Sequence, residues 1–112
     1  MIVYGIKTCE TCRKALQSLP GARLHDVRAE GLPEDVAGAA LARFGEALIN
    51  RKSTTWRALD PAARAAAPRA LITAHPTVMK RPLIDAGGTL YLGWSQQVQS
   101  ALSPAPRSRP SS

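Results

Sequence analysis

The chain reads as an α/β fold built on a four-stranded mixed sheet, and three observations carry that reading. A short, β-branched apolar run over residues 2–6 leads through a turn into a segment of helical periodicity. A middle region rich in Pro and Ala repeats helix starts and stops without strand alternation. Gly87-Gly88 separates two short apolar runs, the signature of an antiparallel hairpin.

Taken in order, Ile2 to Ile6 predicts a buried strand and Lys7-Thr8 a turn, with Thr8 as the expected N-cap of a helix reaching about Leu19. Cys12, Ala15, Leu16 and Leu19 fall on one stripe of that helix, while Arg13, Lys14, Gln17 and Ser18 face solvent. Pro20-Gly21 ends it, and Arg23 to Val27 predicts a second strand, giving a β-α-β start. Pro33 opens a helix to about Phe44 with acids in its first turn, an apolar face of Val36, Ala39, Ala40 and Phe44, and Gly45 as its stop. Thr54 or Thr55 is expected to cap a short helix through Trp56, Asp60-Pro61 to start an Ala-rich one, and Pro68 to start one ending at His75.

Val78 to Asp85 is an extended run with Pro82 inside it, which a central strand tolerates only at an edge, a bulge or a cis turn. Thr89 to Leu92 returns as a strand, and Ser95 caps a last helix to about Leu102. The order is β-α-β, a helical insertion between strands 2 and 3, then β-β-α, which is a thioredoxin-like arrangement. Residues 1–102 are expected to form one domain and 103–112, rich in Pro, Ser and Arg, a disordered tail.

The 112 residues suffice for one modest core. Aromatic content of 4% leaves that core to Leu, Ile, Val and Ala. No apolar run is long enough for a membrane span and no basic segment precedes a long apolar one, so a cytoplasmic protein without a membrane partner is expected. The net charge of +7 raises the question of nucleic acid, but there is no dense Lys/Arg block and no aromatic-interleaved basic stripe. A small anionic substrate fits that charge better than a nucleic acid.

Cys9-Glu10-Thr11-Cys12 holds both cysteines of the chain, at a strand-to-helix turn. That spacing permits a reversible disulfide across one helical turn. The unpaired N–H groups of a helix N-terminus favour a thiolate at Cys9, and Lys7, Arg13 and Lys14 lie close to it in sequence. Cys9 is therefore the expected nucleophile. Cys12, one turn further in, either resolves a mixed disulfide or simply packs the helix. A zinc site would need two more ligands; His25 and His75 lack pair spacing, so no metal is expected.

Four blocks in series extend the argument: Tyr4-Gly5-Ile6-Lys7 with Cys9, Cys12 and Arg13-Lys14-Ala15; Leu48-Ile49-Asn50-Arg51-Lys52; Thr54-Thr55-Trp56-Arg57 with Leu59; and His75-Pro76 with Lys80-Arg81-Pro82-Leu83-Ile84. Together they resemble the arsenate reductase (ArsC)-like family, which includes glutaredoxin-linked arsenate reductases, Spx-type regulators and YffB-like proteins. The Thr-Thr-Trp-Arg block and Gly93-Trp94 are most similar to the YffB-like branch. The resemblance implies a thioredoxin-like fold and a cis Arg81-Pro82 bond, which would free the neighbouring backbone to pair with a peptide such as glutathione.

It also implies that Arg51 and Arg81 hold an oxyanion or a peptide carboxylate. Lys7 and Pro82 would join them in binding glutathione, with Asn50, Lys52 and Lys80 as further anion-friendly neighbours. The implied activity is a glutathione-dependent thiol–disulfide oxidoreductase with catalytic residues Cys9, Cys12, Arg51 and Arg81. Glutathione would be its co-substrate and glutaredoxin or a disulfide its partner, with no tightly bound cofactor, and the chain is expected to be a monomer. The alternatives are an arsenate reductase and an Spx-like regulator binding the RNA polymerase α subunit. Where the arsenate reductases carry a third arginine, this chain reads Leu92-Gly93-Trp94-Ser95. A missing charge-assisted contact of about 1.5–3 kcal/mol counts against arsenate.

Overall fold

A computed structural model describes residues 1–102; the tail expected over 103–112 lies outside the described residues. Those residues fall into two compact units, Met1–His25 together with the segment from Arg81 onward, and Asp26–Lys80.

The first unit carries the sheet. Strands β1 (Ile2–Gly5), β2 (Arg23–Asp26), β3 (Leu83–Ala86) and β4 (Thr89–Leu92) lie in the order β2-β1-β3-β4. β1 pairs antiparallel with β3, Val3 opposite Ile84, and β3 pairs antiparallel with β4, Ile84 opposite Tyr91. The sheet is mixed, as the element order predicts. Helices α1 (Glu10–Ser18) and α7 (Gln96–Leu102) cover the face that Val3 and Ile84 share. The core there joins Val3, Ala15, Leu19, Ile84 and Leu102, with Leu16, Leu24, Trp94 and Val98 packed against it. The stripe read from α1 is the one buried. Each large aliphatic side chain removed from water contributes roughly 1.5–3 kcal/mol.

The hairpin turns on Gly87 and Gly88, both at positive φ (65° and 97°), where a side chain would be strained. Asp85 Oδ1 accepts the Gly88 N–H at 2.8 Å and closes the turn. Ser95 caps α7 as expected, its Oγ accepting the Val98 N–H at 3.3 Å.

The second unit is the helical insertion. It holds α2 (Val27–Glu30), α3 (Glu34–Phe44), α4 (Thr54–Ala58), α5 (Pro61–Arg64) and α6 (Pro68–Ala74), with 3-10 turns at Gly45–Leu48 and Pro76–Val78. An isolated bridge, Ile49 to Met79, ties its ends, flanked by Asn50 N–H to Val78 C=O at 2.8 Å and Lys80 N–H to Leu48 C=O at 2.7 Å.

Several local expectations are corrected. The first helix is capped by Cys9, not Thr8. β2 ends at Asp26, whose Oδ1 accepts the N–H groups of Arg28 and Ala29 and starts α2, where the sequence predicts strand to Val27. The buried face of α3 is Ala37 and Ala40 with half-buried Val36 and Phe44, while Ala39 is exposed; the small size of Ala let two faces look alike. Ser53, not Thr54 or Thr55, caps α4: its Oγ accepts the Trp56 N–H at 3.1 Å and donates to the Asn50 carbonyl at 2.7 Å.

Ser53 is only 8% exposed, so losing its hydroxyl strands a cap donor in a half-buried place. Ser53→Ala is expected to lower unfolding stability by about 1–2 kcal/mol. Urea titration followed by circular dichroism checks this, and an unchanged midpoint would mean that Ser53 does not hold α4.

Candidate active site

The turn between β1 and α1 is set by the Cys9 N–H, which donates to the Ile6 carbonyl at 3.1 Å, and by the Arg13 N–H, which donates to the Cys9 carbonyl at the same distance. Cys9 has extended backbone (φ −79°, ψ 118°), so its side chain stands at the mouth of the helix rather than along its flank. Its thiol closes no capping hydrogen bond of its own. Cys12 lies on the buried stripe, fully enclosed, and both cysteines are free thiols.

Burial alone would raise the Cys9 pKa. It is outweighed by the Cys12 backbone N–H, the Cys12 thiol and the Arg81 guanidinium, all of which hydrogen-bond the sulfur, and by the positive charge of Arg81. The thiol therefore sits below its ordinary value of 9.0. Cys12 moves the other way. Burial pushes it up to about 12, helped by the hydrogen bond and negative charge of Cys9 and only partly offset by the Ile6 backbone and Arg81. One sulfur is biased towards the thiolate and its neighbour towards the protonated thiol, the division of labour that a nucleophile and a reserve thiol require.

Arg81 stands at the entry to β3, half-buried, and the Arg81-Pro82 bond is cis. Pro82 is buried, its carbonyl accepting the Gly93 N–H at 2.8 Å, so the loop after β4 is fastened to the residue that follows Arg81. Of the residues singled out by sequence, Cys9, Cys12, Arg81 and Pro82 belong to the sheet-bearing unit, and the first three meet. Lys7 is exposed in the turn. The cation acting on Cys9 is Arg81, not the sequence neighbours Arg13 and Lys14; Lys14 instead faces Glu10 at 3.8 Å on the outer side of α1.

Arg51 belongs to the Asp26–Lys80 unit. Its guanidinium pairs with Glu46 at 2.8 Å and lies over the Trp56 ring, 5.5 Å from the centroid. Arg64 lies over the same ring at 5.6 Å and donates to the Trp56 and Arg57 carbonyls. Trp94 packs against the core beside α7. Among the described residues no group of three or more His, Cys, Asp or Glu gathers in a way that could hold a metal, and no helix is long and apolar enough to cross a membrane. The partner that sequence reasoning passed over is Gly5, on whose side of β1 the Cys12 sulfur lies. A glycine inside an apolar strand is a signal of close approach and could have been read as one.

Alkylation rate against pH separates the two thiols. In Cys12→Ser, which keeps a hydroxyl donor, Cys9 is expected to react with a midpoint below 9.0. In Cys9→Ser, Cys12 is expected to titrate above 9.0 and short of 12, because the Cys9 anion is gone. Arg81→Met is expected to raise the Cys9 midpoint and slow its alkylation at neutral pH. A midpoint for Cys12 at or below that of Cys9 would reverse the assignment.

Known proteins resemble this chain in sequence and in fold. The family model described as ArsC family matches residues 4–101. An uncharacterized protein of Haemophilus influenzae is 35% identical over 108 residues, covering 88% of this chain and 95% of its own length. A solved structure named YffB superposes with a TM-score of 0.79 at 32% identity, covering 91% of this chain and 97% of that one. The solution structure of an arsenate reductase (ArsC) related protein from Brucella melitensis gives 0.66 at 34% identity, covering 88% and 91%. The mixed sheet in the order β2-β1-β3-β4 is thioredoxin-like, with a Cys-x-x-Cys at the first helix and a cis proline opening the third strand. On sequence, fold and length of match alike, the chain belongs to the ArsC family.

Proposed function

We propose that the chain is a thiol–disulfide oxidoreductase that reduces disulfides at the expense of glutathione, with Cys9 as nucleophile. The observation that carries this is the pairing of Arg81 and the Cys12 N–H on one sulfur while the second sulfur stays buried and protonated. In the first step the Cys9 thiolate attacks a disulfide sulfur, an S–S bond to Cys9 forms, and the leaving thiolate takes up a proton. In the second, a glutathione thiolate attacks the Cys9 sulfur and the substrate thiolate leaves and takes up a proton; a second glutathione thiolate then attacks the glutathione sulfur of the Cys9 mixed disulfide, glutathione disulfide forms and the Cys9 thiolate leaves. Alternatively Cys12 attacks the Cys9 sulfur, the substrate thiolate leaves, and two glutathiones reopen the Cys9–Cys12 disulfide. With glutathione the net change is one disulfide reduced and two glutathiones oxidised.

Arg81 keeps the departing Cys9 sulfur anionic, which favours its release. Lys7, Arg51 and Pro82 are assigned to glutathione by the family pattern. For Arg51 this means that a glutathione carboxylate would take the place of Glu46, an exposed pair that costs little to break. Arsenate is the weaker reading of the same site. The segment where a third arginine would stand holds Trp94, and that side chain is engaged in the core.

The test is turnover of a small glutathione mixed disulfide, coupled to NADPH through glutathione reductase. Wild-type protein is expected to turn over only with glutathione present, and Cys9→Ser to fall to the uncatalysed background. Arg81→Met is expected to lose about 10–100-fold in kcat/KM, the worth of one charge-assisted contact of roughly 1.5–3 kcal/mol. Turnover by Cys9→Ser equal to wild type would end the proposal. With arsenate as electron acceptor, wild-type turnover is expected to stay well below the ~1 per second of ordinary enzymes. A rate at or above that would place arsenate reduction first.

A further inference from the structure

Gly5 ends β1, buried, and it is not among the glycines at positive φ. Its backbone is one that any residue adopts, so conformational freedom does not explain it. Space does. A β-carbon at position 5 would land on the Cys12 sulfur, lie 3.1 Å from the Cys12 β-carbon and sit 3.8 Å from Leu24 Cδ1. The sulfur is thus pressed against the bare α-carbon of β1, with the neighbouring Ile6 backbone hydrogen-bonded to it and Cys9 beside it. Core atoms at this density do not yield without cost.

We propose that Gly5 is the positioning residue of the thiol pair: by lacking a β-carbon it leaves on β1 the recess that keeps the Cys12 sulfur beside Cys9 for disulfide closure. This rests on the reading of Cys9 as nucleophile with Cys12 as its resolving thiol. The step concerned begins from a mixed disulfide between Cys9 and an external thiol, formed from a disulfide oxidant. Cys12 releases its proton to solvent and its thiolate attacks the Cys9 sulfur. The Cys9–Cys12 bond forms, and the external thiolate departs with the electron pair of the broken bond and takes up a proton. Forming the mixed disulfide removes the negative charge on Cys9, one of the influences that hold the Cys12 proton. Burial, the largest of those influences, stays in place, so closure is slow enough for geometry to govern it, and a displacement of the order of 1 Å can cost about a hundredfold.

The test uses dithiobis(nitrobenzoate) in less than one equivalent over the whole, reduced protein. Reaction at Cys9 releases one thionitrobenzoate, and closure by Cys12 releases the second. Gly5→Ala is expected to shift the rate and pH midpoint of the first release no further than Cys12→Ala does, since at most the Cys12 thiol's hydrogen bond to Cys9 is lost, and to give the second release about ten- to a hundredfold more slowly. A purely structural glycine would change neither relation. Equal second-release rates in wild type and Gly5→Ala would overturn the role of Gly5 and leave the resolving role of Cys12 intact. No second release from wild type, or a second release that survives Cys12→Ser, would instead remove the reading on which the proposal rests. If Gly5→Ala does not fold, Cys12→Ala and Gly5→Ala/Cys12→Ala, compared by chemical denaturation, decide the matter, the unfolded Gly5→Ala setting a lower bound on the cost of the alanine beside the sulfur. The alanine at 5 is expected to disturb the unfolding equilibrium at least about tenfold less once the sulfur is gone. An undiminished effect would overturn the recess.

Discussion

The first turn of α1 meets the end of β1 across a single sulfur atom, and the chemistry of the site hangs on that contact. Cys12 is driven inward because it shares a stripe of α1 with Ala15 and Leu19, which pack with Val3 and Ile84 in the core of the sheet-bearing unit. Once Cys12 is fixed, its N–H points back at the helix mouth, where Cys9 caps the turn. A hydrophobic requirement, the packing of one helix on one sheet, thereby sets the electrostatics of a thiol three residues away.

The two sulfurs divide their roles through burial and one cation. Cys9 is partly open and borrows Arg81 from the start of β3; Cys12 is sealed and bears a cost of burial that the Ile6 backbone and Arg81 only partly relieve. No catalytic carboxylate or imidazole is needed to explain the difference. The fastening of Pro82 to Gly93 ties the loop after β4 to the Arg81 end of β3, which anchors the backbone that carries the cation without calling on exposed surface ion pairs. Such pairs do occur, between Lys14 and Glu10 and between Arg51 and Glu46, but both are largely exposed and contribute little.

Much of this was legible in the chain itself. The strand, the helix, the buried stripe through Cys12 and Leu19, the Gly87-Gly88 turn and the caps at Asp60 and Ser95 follow from patterns that act within a few residues. The cis bond at Arg81-Pro82 followed from the motif blocks rather than from local pattern. What escaped was of two kinds. Some caps went to a neighbour: Cys9 displaced Thr8 and Ser53 displaced Thr54, because several capping residues stood side by side and tertiary position chose among them. The identity of the cation at Cys9 was the other. Arg13 and Lys14 are near in sequence but point outward on the helix, whereas Arg81 arrives through the β1–β3 pairing, which no local pattern encodes.

That pairing has a consequence for the order in which the protein matures. A chain leaving the ribosome exposes both cysteines long before β3 has been made, since the whole Asp26–Lys80 unit is synthesised in between. α1 alone is nine residues, too short to persist without a sheet beneath it. Until β3 docks beside β1, Cys9 has neither the settled helix mouth nor the guanidinium, and it behaves as an ordinary thiol. Nucleophilic power at Cys9 is thus among the last properties the nascent protein acquires, and the folding that sharpens Cys9 also closes over Cys12, which until then is an open, ordinary thiol.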